Sequence, residues 1–338
     1  MHRTALIATL SLLLVLIIMA GLVNSAVGQP DMSKQDIYYS FVEGQRLLNG
    51  QNPYARILEG DMLHNRKYAT YFPLFYELSF LTQKVGLTTF EAWLAFWRIV
   101  FIAFEFSIAL VLYLALARLQ LPWVGLFAAA FWLFNRWTLQ LVQIADLDFV
   151  PIFFLLLSLE LLSRNKWLSL VSLGLSLAIK QIAIFIVPLY LIWLWQASEK
   201  QRLKDVLVGA AIIGGIPFLS ALPFLIWGAR GFVYSVLFSV TRLPEQSRGL
   251  PGSVGSYLSG GSTIDKIAML GLMFTLYVFA WRRLGTRYLL ALLVMLVFVC
   301  FNSVLYPQYI LWLMPLSLLL FCDLQGIRAP RPPATAES

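Results

Sequence analysis

The chain has 338 residues, of which 60% are hydrophobic and only 12% charged, with a mean hydropathy of +0.78. That composition excludes a soluble globular protein and predicts an all-α polytopic membrane protein, since the apolar runs are continuous rather than alternating as in a β-barrel. The net charge of +8 arises from short basic connections, and no basic run is interleaved with aromatics, so no nucleic-acid partner is expected.

In chain order, membrane spans are predicted over 5–24, 90–117, 122–134, 147–163, 167–179, 182–195, 205–227, 265–281, 287–302 and 306–322. Residues 71–84 read as a short re-entrant or interfacial helix. The "VNSAVG" after the first run offers small residues to a signal peptidase, but the run is long for a signal and is read as a retained span. His2-Arg3, Arg118, Arg164 with Lys166, Lys200-Arg202-Lys204, Arg282-Arg283-Arg287 and Arg328-Arg331 fall on one side, which is therefore cytoplasmic. Two long polar segments, 25–70 and 228–264, then face outward. Together these form one transmembrane domain over 1–322, a bundle of about ten helices, and the Pro-rich 323–338 is expected to be a disordered cytoplasmic tail. Several spans are short or interrupted. Broken helices are tolerated at membrane depth only where they are buried or line a wet cavity, so a polar pocket near the outer face is expected.

Cys300 and Cys322 lie far apart in apolar runs and suit neither a disulfide framework nor a zinc site; His2 and His64 are equally remote. Chemistry must come from other residues. The stretch "KQDIYYSFVEGQRLLNGQNPYAR", 34–56, predicts an amphipathic helix lying on the outer surface. Asp36, Tyr39, Ser40 and Glu43 follow i, i+3, i+4, i+7 spacing and share one face, while Ile37, Phe41 and Leu48 occupy another. Ser33 and Asp36 match a capping box, which is a purely structural role for Asp36. Gly50 suits the helix C-terminus and Asn52-Pro53 the turn beyond it.

Intramembrane charges are costly and therefore informative. Arg98 and Glu105 are read as pairing with neighbouring helices, and Glu160 with Arg164 as a surface i, i+4 pair. Asp146 and Asp148 in "VQIADLDFVP" suit capping of a helix N-terminus. Lys180 interrupts an apolar stretch. It suits an anionic group such as a phosphate, or equally an ion pair with Asp146 or Asp148. Arg242 and Arg248, among Gly, Pro and Ser, form a basic outer loop able to close over an anion. Asn302, Gln308 and Tyr309 put polar tips at the start of the last span.

Four ordered blocks resemble the GT-C superfamily of integral-membrane glycosyltransferases over roughly 30–322: "DIYYSFVEGQRLLNGQNPYAR", "YFPLFYEL", "QIADLDF…AIKQIAIFIVPLYL" and "FNSVLYPQYILWLMPL". The likeness is to polyprenyl-phosphate-mannose-dependent enzymes, namely bacterial glycosyltransferase family 87 and the first mannosyltransferase of GPI-anchor synthesis. The resemblance implies a GT-C-like bundle that moves a sugar, mannose above all, from a polyprenyl-phosphate donor to a glycolipid or envelope-glycan acceptor. Transfer would occur at the non-cytoplasmic face of a bacterial plasma membrane and invert the anomeric configuration. Asp36 matches the acidic residue of the first outer loop and would be the base. Lys180, Arg242 and Arg248 would stabilise the phosphate leaving group, with Gln308 and Tyr309 shaping the donor pocket and Glu43, Asp146 and Asp148 counted among the substrate-binding residues. Related eukaryotic enzymes show Asp-x-Asp where this chain reads Asp36-Ile37-Tyr38. Glu43 is the candidate second carboxylate, and the metal is left open: a monophosphate donor has less need of a divalent ion, but one is admitted. The competing readings are a transporter or flippase for a lipid-linked or anionic substrate, using Asp146, Asp148 and Lys180, and a non-catalytic subunit of the same fold.

Overall fold

The computed structural model describes residues 2–243, 252–254, 257 and 263–328. Every regular element among them is a helix: α1 (His2–Ala26), α2 (Asp36–Leu48), α3 (Leu74–Lys84), α4 (Phe90–Ala117), α5 (Pro122–Phe134), α6 (Arg136–Gln143), α7 (Phe149–Leu161), α8 (Lys166–Ile179), α9 (Val187–Ala197), α10 (Arg202–Thr241), α11 (Thr263–Trp281), α12 (Arg287–Phe301) and α13 (Pro307–Arg328). Short 3-10 helices cover Met32–Lys34, Pro53–Glu59 and Gln181–Ile186. Three helices, α1, α4 and α10, are long and apolar enough to cross a membrane, and seven shorter apolar helices accompany them.

The helices sit close to the predicted runs because caps and prolines bound them. Thr89 caps α4 by accepting from the Ala92 N–H, Pro122 opens α5, and Asn135 accepts from the Trp137 and Thr138 N–H groups to restart the chain as α6. α4 is the spine, packed against α1, α5, α7 and α13, and Trp93, Phe101, Ile108, Leu112 and Tyr113 on it are fully buried. α7 and α8 form a hairpin joined by reciprocal bonds. Ser158 Oγ donates to the Ser169 carbonyl at 2.7 Å, and Ser169 Oγ donates to the Ser158 carbonyl at 2.8 Å. Hydroxyls are effective glue between apolar helices, where no hydrophobic gradient distinguishes neighbours.

Arg98 and Glu105 find partners on neighbouring helices as expected, whereas Glu160, expected in a surface pair, is buried. Arg98 donates to the carbonyls of Val142 and Gln143 at 2.9 and 3.2 Å, closing the C-terminus of α6. Glu105 accepts from Asn24 on α1 at 2.8 Å. Glu160 is within 3.7 Å of Arg164 and 3.9 Å of Arg118, and also accepts from the Tyr288 hydroxyl.

Four expectations are corrected. The Ser33–Asp36 capping box does not form: Asp31 Oδ1 takes both the N–H and the hydroxyl of Ser33, and Gln35 occupies the N-cap of α2 without a side-chain bond. Leu48 is exposed, although Ile37 and Phe41 are buried as predicted. The polar segment 228–264 starts as a helix, because α10 breaks at Gly228 and then resumes to Thr241. Its Phe232 and Phe238 are buried against Tyr54 and Tyr68, and this apolar burial is stronger than the polar average of the segment suggests. Lastly, α13 runs to Arg328, beyond the predicted end at 322. Asp323 ties it to α12 by accepting from the Thr286 hydroxyl and, at 3.2 Å, from the Leu289 N–H. The rest of the tail, 329–338, lies outside the described residues.

Candidate functional site

α2 is clamped on α3 at Gly44, where an added Cβ would meet Ser79 Oγ at 2.4 Å. Ser79 Oγ donates to the Ser40 carbonyl at 3.0 Å and Gln83 Nε2 to the Phe41 carbonyl at 2.9 Å. This close approach turns the adjoining face of α2, with Asp36, Tyr39, Ser40 and Glu43, toward a cavity of about 140 Å³. The other walls come from the segment 65–71, from Lys180–Ile182 at the break between α8 and α9, from the end of α10, and from Asn302 to Trp312. A water needs ~10–15 Å³ of such space, so this cavity has room for on the order of ten.

Of the predicted site residues, Asp36, Glu43, Lys180, Arg242, Gln308 and Tyr309 all line it. Asp146 lines a second chamber of about 170 Å³ that shares Asp36, Lys67, Tyr71, Tyr306 and Gln308 with the first. Asp148 lies behind the wall and is fully buried. Arg248 lies outside the described residues.

The local chemistry decides between two readings at Lys180 and differs from the expectation at Glu43 and Asp146. Lys180 is paired with Asp148, whose other oxygen accepts from Trp312 Nε1–H at 2.8 Å. Its ammonium stands 4.6 Å from the Tyr71 ring centroid. Of the two readings, the ion pair is therefore the one formed, and Lys180 reaches the cavity as half of a buried pair. Glu43 Oε1 accepts from Arg56 at 3.2 Å, while Oε2 lies 3.2 Å from Arg46 Nε as an ion pair without a hydrogen bond. Burial pushes its carboxyl up to about 7 against the pull of those arginines. Asp146 does not occupy the N-cap of α7: its Oδ1 accepts from the Asp148 N–H at 3.0 Å, directly after the turn that ends α6, in which Ala145 has φ +49°. Among the described residues no group of three or more His, Cys, Asp or Glu is arranged to hold a metal ion.

Arg242 ends α10 with its guanidinium 5.6 Å from the Tyr306 ring centroid. It has no carboxylate within 4.0 Å among the described residues, and its buried Nε–H has no hydrogen-bond acceptor. A buried donor without an acceptor costs about 1–3 kcal/mol, more for a charged group, so an anion in the cavity would relieve it.

Lys67 is the site residue that sequence reasoning missed. Its Nζ lies 2.6 Å from Asp36 Oδ1 and 5.6 Å from the Tyr39 ring centroid. The backbone that presents it is specifically held: Lys67 has φ +55°, its N–H is accepted by Asn65 Oδ1 at 3.0 Å, and Arg56 donates to the carbonyls of Lys67 and Arg66. Glu43 thus anchors Arg56, Arg56 anchors the turn, and the turn delivers Lys67 to Asp36. One local signal was legible, the Asn65-Arg66-Lys67 turn; its distance of 31 residues from Asp36 concealed the pairing. Tyr71, Gln181 and Tyr306 were likewise missed because they read as ordinary aromatic or connecting residues. Compared with known proteins, the chain matches no family model and no curated sequence.

Proposed function

We propose that the chain is a multi-pass membrane glycosyltransferase of GT-C type, placed in a bacterial plasma membrane with this cavity at its outer face. It transfers a sugar, mannose above all, from a polyprenyl-phosphate donor to a lipid or glycan hydroxyl. The observation that carries the reading is the pairing of chemistries in one cavity. A half-exposed carboxylate, Asp36, lines the same cavity as Arg242, whose guanidinium has no carboxylate partner among the described residues and whose buried Nε–H lacks an acceptor. Carboxylate and cation are what acid–base activation of a hydroxyl and stabilisation of a departing phosphate require.

In this reading Asp36 takes the proton of the acceptor hydroxyl. The acceptor oxygen bonds to the anomeric carbon as the bond from that carbon to the phosphate oxygen breaks, and the electron pair leaves on the phosphate. Attack from the face opposite the phosphate inverts the configuration. Arg242 and Lys180 hold the phosphate charge, with Arg248 from the neighbouring loop as a third candidate, while Tyr309 and Gln308 form the donor wall. Lys67 has to release Asp36 as the acceptor enters, since its ammonium, 2.6 Å away, occupies the carboxylate oxygen that would take the proton.

The test is Asp36→Asn in the full-length protein, assayed with labelled polyprenyl-phosphate mannose. Transfer should fall at least a hundredfold, the lower range of general base catalysis, with unchanged thermal stability. Full transfer by this variant refutes Asp36 as base. Movement of the lipid-linked sugar across proteoliposomes without any glycosylated product would instead favour a transporter.

A further inference from the structure

The catalytic carboxylate of this reading is shared by two chambers of different chemistry, and they can be told apart. The first carries Arg242 and Lys180, with the aromatic rings of Tyr39, Tyr309 and Trp312 around them. The second lies on the other side of the Asp36–Lys67 pair, bounded by Gln35, Ile37, Ile144, Asp146 and Leu147. Its two lysines are already matched: Lys67 with Asp36 at 2.6 Å and Lys34 with Asp31 at 2.9 Å. Asp146 is not matched. It is more than nine-tenths buried, and its one hydrogen bond occupies Oδ1, leaving Oδ2 with no partner among the described residues. The Gln308 side chain, on the boundary between the chambers, also makes no hydrogen bond among the described residues.

With both lysines paired, the second chamber offers a phosphate no cation, whereas the Asp146 oxygen without a donor accepts from a hydroxyl and a free amide can donate and accept beside it. We propose that the second chamber is the acceptor site, and that it takes a neutral polyol or sugar ring. Asp146 accepts from one ring hydroxyl and Gln308 bonds a neighbouring one, so that the hydroxyl to be glycosylated points at Asp36. The Asp36–Lys67 pair is then the partition between donor and acceptor. This rests on the glycosyltransferase reading and deepens it by assigning the acceptor class and its binding residues. Burial beside Asp148 raises the carboxyl of Asp146, and in either protonation state it retains an oxygen able to accept from a hydroxyl.

The test uses full-length protein in nanodiscs, labelled polyprenyl-phosphate mannose as donor, and methyl α-mannoside, myo-inositol and glycerol as acceptor probes. Release of mannose to water is followed in parallel. For the best probe, Asp146→Asn should raise the acceptor KM at least tenfold while the donor KM stays within twofold. Gln35→Trp, which narrows only the second chamber, should do the same and guards against a variant that fails to fold. A rise in donor KM with an unchanged acceptor KM, in either folded variant, overturns the assignment. So does a wild type that transfers mannose to water but to none of the probes at high concentration. A wild type that releases no sugar at all overturns the transferase reading itself, a result distinct from both.

Discussion

The buried Lys180–Asp148 pair should respond strongly, and unequally, to the loss of either partner. Its side chains are 7% and 0% exposed, and it joins the break after α8 to the start of α7. Removing one partner of a buried pair typically costs ~3–5 kcal/mol, because the other charge is left uncompensated, whereas replacing both is often close to neutral. The two single losses should differ here. Lys180→Met leaves Asp148 with no solvent contact and one N–H donor, from Trp312 at 2.8 Å, so the full ~3–5 kcal/mol applies. Asp148→Asn leaves an ammonium that lines the cavity and lies over Tyr71, a contact worth up to about 2 kcal/mol when desolvated. Its cost should therefore be smaller, about 1–3 kcal/mol, being the single-loss range less that contact. The double variant should recover at least ~2 kcal/mol of the summed loss, well beyond the ~0.3–0.5 kcal/mol within which independent sites add. Unfolding of the full-length protein in mixed micelles, titrated with SDS and followed by circular dichroism, supplies all four corners of the cycle. Additive losses, or Asp148→Asn costing more than Lys180→Met, would refute the reasoning.

Two further outcomes follow from α2. Because burial raises Glu43 from 4.5 to about 7, the folded state binds more protons than the unfolded one between those values, so stability should fall as pH rises across that window. The contribution is at most about 3 kcal/mol for a shift of this size, and stability-versus-pH curves for wild type and Glu43→Gln should differ by that slope; parallel curves would contradict it. Gly44→Ala should destabilise by about 2–4 kcal/mol, since its Cβ would lie 2.4 Å from Ser79 Oγ and 2.5 Å from Gln83 Nε2 and displace both hydrogen bonds. In a Ser79→Gly, Gln83→Ala background, which removes both clashing side chains, Gly44→Ala should cost much less, and an undiminished cost would place it elsewhere.

The helix boundaries at 90–117 and 122–134 coincide with the predicted runs because both are set by neighbours in sequence: Thr89 as cap, Pro122 at the first turn, and continuous apolar composition between them. The face of α2 that carries Asp36, Tyr39, Ser40 and Glu43 was legible for the same reason, since helical periodicity alone puts those four together. The extension of α10 beyond Gly228 was not, because its stability comes from Phe232 and Phe238 seated on Tyr54 and Tyr68, residues more than 150 positions away.

Composition and local pattern thus determined the helical class, most helix limits and the group of candidate polar residues. Which charge meets which was decided only by tertiary structure. Lys180 could have answered Asp146, Asp148 or a ligand, and the packing of α7 against α8 selected Asp148. The same packing left Arg242 Nε and Asp146 Oδ2 without partners among the described residues and set Lys67 against Asp36. Charge pairing depends on distances of a few ångströms between segments tens to hundreds of residues apart, and a local sequence pattern carries no record of those distances.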